Sequence, residues 1–390
     1  MTARGKKRLF SLLRIAICVA ALWFVLRGVT YYDHVFLADG DVELVGRVIE
    51  DGDPMTLRLR DGRTETVALA DVAVDGDGNP RIVFGLASAW QSSKPVFLLL
   101  AVLLHLPVGV FQGIRLRWLL RAQEISLTYW GCVKLSFAGN FLNFATPLGS
   151  NAGDVFKAYF LTTHTKRKTE AATTIFLDRA IGLGTLLGCV GVITLISASD
   201  SMLAAFRPYT LTVLGAGFVG AFLYFSKTIR KYVWPHRLLE KLPAHNQLQR
   251  IDRTAQSLLD RKSILAAAVV FTLILQVLAI GAYFTVAVAL SMDAHAGNVL
   301  EYYAYFYTGA VIQALPGPPQ GLGTVELAYR YFLAPFGSPS QIVCMAFMIR
   351  VLVLTVALPG LVVTLTGSYR PRDVAVCEAT SESVAVEPVR

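Results

Sequence analysis

Apolar residues run through this chain in long blocks, separated by short basic clusters rather than by extended polar loops. About 20 consecutive apolar residues suffice to cross a bilayer as a helix. The blocks predict six spans: an N-terminal one ending at Leu26, then Pro95 to Phe111, Thr173 to Ile196, Tyr209 to Phe225, Ile264 to Met292 and Gln341 to Thr366. Two other segments are apolar at both ends and interrupted in the middle. "NFATPLGSNAGDVFKAYFL" breaks at Pro147, Gly149 and Gly153, and "YFYTGAVIQALPGPPQGLGTVELAYRYFL" breaks at Pro319, Gly321 and Gly323. Residues 30–92 follow a different rhythm. They alternate apolar and polar positions, with Asp-Gly turns at Asp51-Gly52 and Asp61-Gly62, which predicts three to five short strands in a small barrel-like unit.

The basic clusters orient the spans, because short loops rich in Lys and Arg stay on the cytoplasmic side. Arg4, Lys6, Lys7 and Arg8 put the N-terminus inside, and Arg370 and Arg372 do the same for the C-terminus. Arg115, Arg117 and Arg121 mark an inner end, as do Lys166, Arg167 and Lys168, and later Lys227, Arg230 and Lys231. The first block reads as an uncleaved anchor rather than a cleaved signal, since Trp23 to Leu26 is bulky and no small-x-small site follows. The stretch from about Thr128 to Thr163 leaves the cytoplasm and returns to it in roughly 36 residues, too few for two full spans and a turn. A re-entrant helical hairpin fits that length. The organisation expected is therefore a cytoplasmic end and anchor (1–29), an extracytoplasmic β domain (30–92) and a first membrane repeat with a re-entrant hairpin (93–200). A connecting span with a basic cytoplasmic segment (201–263), a second membrane repeat with its own hairpin (264–368) and a disordered tail (369–390) complete it.

The word "repeat" rests on three matches. Gly153 to Tyr159 and Gly323 to Tyr329 share G-x-V-x-x-A-Y at an offset of 170. "FLDRAIGL" and "FMIRVLVL" match at 171, and the spans starting near Pro95 and Ile264 lie about 169 apart. One span, Tyr209 to Phe225, separates the copies, and an odd connector turns the second copy over. Inverted repeats with broken helices are an architecture of alternating-access transporters. Backbone that is not helical at membrane depth must be surrounded by protein or line a wet cavity, because lipid supplies no hydrogen bonds. The fold class expected is an all-α polytopic membrane protein with an inverted repeat, two re-entrant helical hairpins and a small β-rich extracytoplasmic insert.

Composition agrees. The chain is 54% hydrophobic and 16% charged, with mean hydropathy +0.53, where a soluble domain carries about 25% charged residues. Its net charge of +9 is unevenly spread: residues 30–92 hold twelve acids and five bases, leaving about +16 elsewhere. A basic membrane protein meets anionic lipid headgroups, and no zinc spacing or arginine–aromatic stripe suggests nucleic acid. Five cysteines, none of them in the β insert, make no disulfide framework, and six scattered histidines make no metal site. No cofactor is expected.

Charge inside the apolar blocks is where chemistry is sought. An ionised side chain at mid-bilayer costs about 2.5 to 3.5 kcal/mol on insertion scales, so it needs a partner or a function. The repeat suggests two pairs, Asp154 with Arg179 and Glu326 with Arg350. Asp178 sits about 100° round the helix from Arg179, which keeps the two from facing each other. A second picture uses the same helix starts, with Lys157, Arg179, Arg330 or Arg350, to hold a lipid phosphate. The plainer alternative has the acids capping their helices and the arginines snorkelling. Asn140 and Asn143 share a face just before the first break and suit interhelical hydrogen bonds as well as ligand contact. The aromatic run Tyr302 to Tyr307 reads as an interfacial belt.

"RWLLRAQ", "GNFLNFATPLGSNAGDVFKAYFL", "FLDRAIGL" and "LPGPPQGLGTVELAYRYFL" together resemble the transmembrane region of lysylphosphatidylglycerol synthases and its stand-alone, flippase-like relatives, over about residues 95 to 367. That resemblance implies an integral membrane protein of the lipid-flipping type. The family's G-G-D-x-x-[KR] pattern falls on Ala152, Gly153, Asp154 and Lys157, with Ala152 in place of the first glycine. Its P-G-G-x-G-x-x-E pattern falls on Pro319, Gln320, Gly321, Gly323 and Glu326, with Gln320 in place of the first glycine, and its D-R pair is Asp178-Arg179. The full synthases resembling this chain carry a soluble aminoacyl-transferase domain after the membrane part, for which the roughly 24 residues after the last expected span leave no room, so aminoacylation of lipid is not expected.

The function expected is movement of a phospholipid or lipid-linked headgroup between leaflets by alternating access, in the cell membrane. Asp154 and Glu326 would be proton carriers, since no nucleotide-binding loop is present. The protein is expected to be transporter-like and not an enzyme. Its partners would be anionic phospholipid or a lipid-linked substrate, with no nucleic acid, and an envelope protein is a further partner that the β insert would suit. The rival classes are an intramembrane transferase, or glycosyltransferase-associated protein, acting on lipid-linked substrates, and a cell-envelope scaffold. Against the transferase, the sequence shows no D-x-D metal motif and no Ser/His/Asp set.

Overall fold

The computed structural model describes residues 30–38, 43–50, 53–74, 82–83, 85–91, 93–146, 151–197, 202–225, 245–314 and 319–366. The expected N-terminal anchor, the Asp51-Gly52 turn, Pro147 and Gly149, the Lys227–Lys231 cluster and the tail lie outside the described residues. The chain divides into two compact units, Met1–Val102 with Ala282–Ile312 and Gly321–Leu352, and Leu103–Gly281 with Gln313–Gln320 and Val353–Arg390.

In the first unit, five strands form one antiparallel sheet: β1 (Asp33–Phe36), β2 (Glu43–Glu50), β3 (Met55–Leu59), β4 (Thr64–Val67) and β5 (Ile82–Val83), in the order β4-β3-β2-β1-β5. The order ends at β4 and β5, which do not pair with each other among the described residues, so the unit is an open sheet rather than the expected barrel. Alternation sets its core: Val35, Met55, Leu57 and Val72 are buried, with Leu44, Val48, Val67 and Ile82 packed around them. The β3–β4 turn uses Gly62 at φ +88°, a conformation that glycine adopts without strain. A short helix, α1 (Leu86–Gln91), follows the sheet and was not anticipated from the alternation. Buried Asp33 fastens it, accepting from the amides of Val48 (2.7 Å) and Gly85 (2.6 Å) and from Ser88 Oγ (2.6 Å).

The rest is helical: α2 (Pro95–Ala122), α3 (Tyr129–Ala145), α4 (Ala152–His164), α5 (Lys168–Ile196), α6 (Arg207–Phe225), α7 (His245–Asp260), α8 (Lys262–Ala289), α9 (Val299–Ala314), α10 (Thr324–Phe332) and α11 (Pro339–Thr366). Among the described residues, α2, α5, α8 and α11 are long and apolar enough to cross a membrane. α6 has 19 residues over the fourth expected span.

Two expectations about these helices are corrected. α2 does not stop near Phe111 but runs unbroken to Ala122, because "RLRWLLRA" buries Leu116, Leu119 and Leu120. Arg115, read as a marker of the inner surface, is buried within the second unit. The aromatic run on α9 is core rather than belt: Tyr302, Tyr305, Phe306 and Tyr307 are all at most 2% exposed. Tyr305 stacks on Phe332 with centroids 5.1 Å apart, and Phe306 meets Tyr329 edge-on at 5.4 Å. Tyr302 and Phe306 also meet Phe284 and Tyr283 of α8 edge-on, at 5.4 and 5.9 Å.

Small residues let the second unit pack closely, as lipid-embedded helices do. Gly109 and Gly113 on α2, four apart, lie against Phe137 and Val133 on α3, and Gly360 on α11 lies against the Phe137 backbone. The amphipathic α7 turns Thr254, Ala255 and Leu258 inward, where Leu258 packs with Leu119, Ala122 and Ala268.

Candidate functional site

The first break is held by side chains reaching from one helix to the other. Thr128 caps α3 by accepting from the Gly131 amide (3.1 Å). At its far end, Asn143 Oδ1 accepts from the Gly153 amide (2.7 Å), satisfying a donor that the start of α4 leaves free. Asn140 Nδ2 donates to Gln112 Oε1 on α2 (2.8 Å). Gly153 is required for space: a Cβ there would run into the Gly139 carbonyl.

Asp154 follows in the first turn of α4, where the helix dipole favours an anion. Its Oδ2 lies 2.6 Å from Arg179 Nη1 on α5, and its Oδ1 lies 3.5 Å from Lys157 Nζ. Arg179 Nη2 also donates to the carbonyl of Ala314, the last residue of α9 (3.0 Å). One carboxylate thus faces two cations.

The second break is wound differently. Pro319–Gly321 form a single 3-10 turn, and Gln320, Gly321 and Gly323 have positive φ values of 55°, 64° and 82°. The Gly323 amide donates to Glu326 Oε2 (2.8 Å), closing the first turn of α10 on itself. Glu326 Oε1 takes both Arg350 Nε (2.7 Å) and Arg350 Nη2 (2.5 Å). This pair is neutral, and the Glu326 side chain is 8% exposed against 27% for Asp154.

Both acid–arginine pairs anticipated from the repeat are therefore made. Asp178 does not join Arg179. It forms a bidentate pair with Arg115 on α2, Nε to Oδ1 at 2.7 Å and Nη2 to Oδ2 at 2.9 Å, and Arg115 Nη1 reaches Thr272 Oγ1 on α8 (2.8 Å). Sequence reasoning missed Arg115 because it stands in a cluster that looks like an inner-surface marker. The 100° offset between Asp178 and Arg179 was the signal that a third residue was needed. Arg330 lines an apolar groove of about 660 Å³ with Ile312, Thr324, Leu327, Ala328 and Tyr331. Among the described residues, no group of three His, Cys, Asp or Glu is placed to hold a metal ion.

Long apolar helices with charged pairs tucked between them define an α-helical membrane protein. The family described as "Lysylphosphatidylglycerol synthase TM region" matches residues 83–360, well over half of the 390, and the chain belongs to that family. No curated protein matches it. The family gives the chain a membrane setting and a lipid-related function.

Proposed function

We propose that this protein moves an amphipathic lipid, either a phospholipid or a lipid-linked headgroup, between the leaflets of the cell membrane by alternating access. In this reading, α3–α4 and α9–α10 are re-entrant hairpins of an inverted repeat, and both chain termini are cytoplasmic. The helix lengths support it. At ~1.5 Å per residue, the 17 residues of α3 and 13 of α4 reach about 25 and 20 Å, and the 16 of α9 and nine of α10 reach about 24 and 14 Å. Each falls short of a ~30 Å hydrocarbon layer.

The observation that carries the proposal is the recurrence of one device, a carboxylate in the first turn after each break, held by an arginine 24 or 25 residues on. Ion pairs in the low-dielectric interior form where something other than lipid occupies the space, and each break carries one. The Asp154 cluster, with its extra cation, suits a phosphate, and the Arg330 groove suits an acyl chain with an anionic head. The β insert then stands outside the membrane, where a protein partner would reach it.

Leaflet exchange of a labelled anionic phospholipid in vesicles reconstituted with the full chain tests this. Exchange by the wild type, and its loss in both Asp154→Asn and Glu326→Gln, is expected. No exchange by the wild type with any lipid class, or equal exchange in both variants, would move the weight to a transferase or a scaffold.

A further inference from the structure

Gln320 stands where the related pattern has a glycine, and its backbone is left-handed, with φ 55° and ψ 21°. Any side chain there is disfavoured relative to glycine. A residue held in such a conformation points to something its side chain does.

That side chain spans the two breaks. Gln320 Nε2 donates to the backbone carbonyl of Asn143, 177 residues earlier, at 2.7 Å. Its Oε1 accepts from Gln313 Nε2, also at 2.7 Å, so the amide is held at both ends. Asn143 lies in the last turn of α3, where carbonyls have no partner within the helix. Its neighbour Leu142 is served locally by Thr146 Oγ1 (2.9 Å), whereas Asn143 is served by Gln320 from the other break. Asn143 in turn holds the Gly153 amide with its side chain. One continuous chain of hydrogen bonds therefore runs from Gln313 through Gln320 and Asn143 to the start of α4. Glycine at position 320 could not complete it.

We propose that Gln320 is a positioning residue, a clamp joining the two helix breaks, so that its amide sets how firmly the Asn143–Gly153 contact is held. The proposal extends the transport reading, in which the breaks must part for a lipid to pass.

The test compares Gln320→Gly, Gln320→Ala and Gln320→Glu in the full chain in lipid nanodiscs, read as backbone amide exchange at Gly153–Phe156 and at 321–323. A clamp predicts exchange at Gly153–Phe156 rising about fivefold, the worth of one typical hydrogen bond, in all three variants. Gln320→Glu belongs with the others because its carboxylate repels the Asn143 carbonyl. A residue that merely occupies a strained turn predicts the opposite sign: Gln320→Gly slows exchange at 321–323 and leaves Gly153 unchanged. That result, or wild-type exchange in Gln320→Glu, overturns the proposal. Amide exchange reads the clamp with no lipid moving, so its outcome stands apart from that of the leaflet assay.

Discussion

The two acid–arginine pairs share a sequence pattern and differ in how they are built. Glu326 is bound to its own helix start through the Gly323 amide, is 8% exposed and forms a neutral pair with Arg350. Asp154 instead turns its carboxylate to Arg179 and Lys157, and Asn143 takes the Gly153 amide. The Glu326 pair is the more buried fastening, and in the Asp154 cluster one half-buried carboxylate is shared between two cations. The glycines before them differ likewise. Gly153 is needed because the Gly139 carbonyl leaves no room for a Cβ, and Gly323 because φ is +82°. A duplicated motif can keep its residue types while the physical reasons for them diverge.

The contrast makes ordered predictions. The largest effect is expected from Glu326→Gln, which leaves Arg350 beside a neutral partner; breaking a buried pair in this way costs about 3 kcal/mol. Thermal unfolding of the purified full chain in detergent should show it. Asp154→Asn should lower stability less, by about 1 to 2 kcal/mol, because its site is more open. Equal losses would erase the distinction between the fastenings. Next come the glycines. Gly153→Ala should destabilise by about 1 to 3 kcal/mol through overpacking and Gly323→Ala by about 1 to 2 through backbone strain. Enlarging the space by Asn143→Ala should not rescue Gly323→Ala. The smallest effect on stability belongs to Lys157→Met, within about 1 kcal/mol in either direction, because Met fills the space of the buried lysine stem while its long 3.5 Å contact to Asp154 is lost. It should nonetheless weaken retention of anionic lipid measured by native mass spectrometry, while Leu327→Met, at the matching position of the second copy, should not.

Much of this arrangement is legible in the sequence because charge within an apolar run is conspicuous and because the motif occurs twice. Asp154, Arg179, Glu326 and Arg350 could be paired by offset alone. Arg115 could not: its partner Asp178 is 63 residues away on another helix, and a basic residue near a span's end is an equally good surface marker. The aromatic run on α9 misled for a related reason, since tyrosines suit an interface and a crowded core alike and only packing separates the two. The β insert was readable as strands from its period of two, whereas open or closed sheet geometry depends on which edge strands meet. Gln320 was visible only as a missing glycine, and what its amide does depends on a carbonyl 177 residues away.

The central claim is that the two broken segments enter the membrane from opposite faces. Single cysteines at Lys166, which follows α4, and at His295, which precedes α9, report it directly when the five native cysteines are replaced and an impermeant thiol reagent is applied to intact cells. The account predicts labelling of His295→Cys from outside and of Lys166→Cys only after the membrane is opened. Labelling of both from the same face would contradict it.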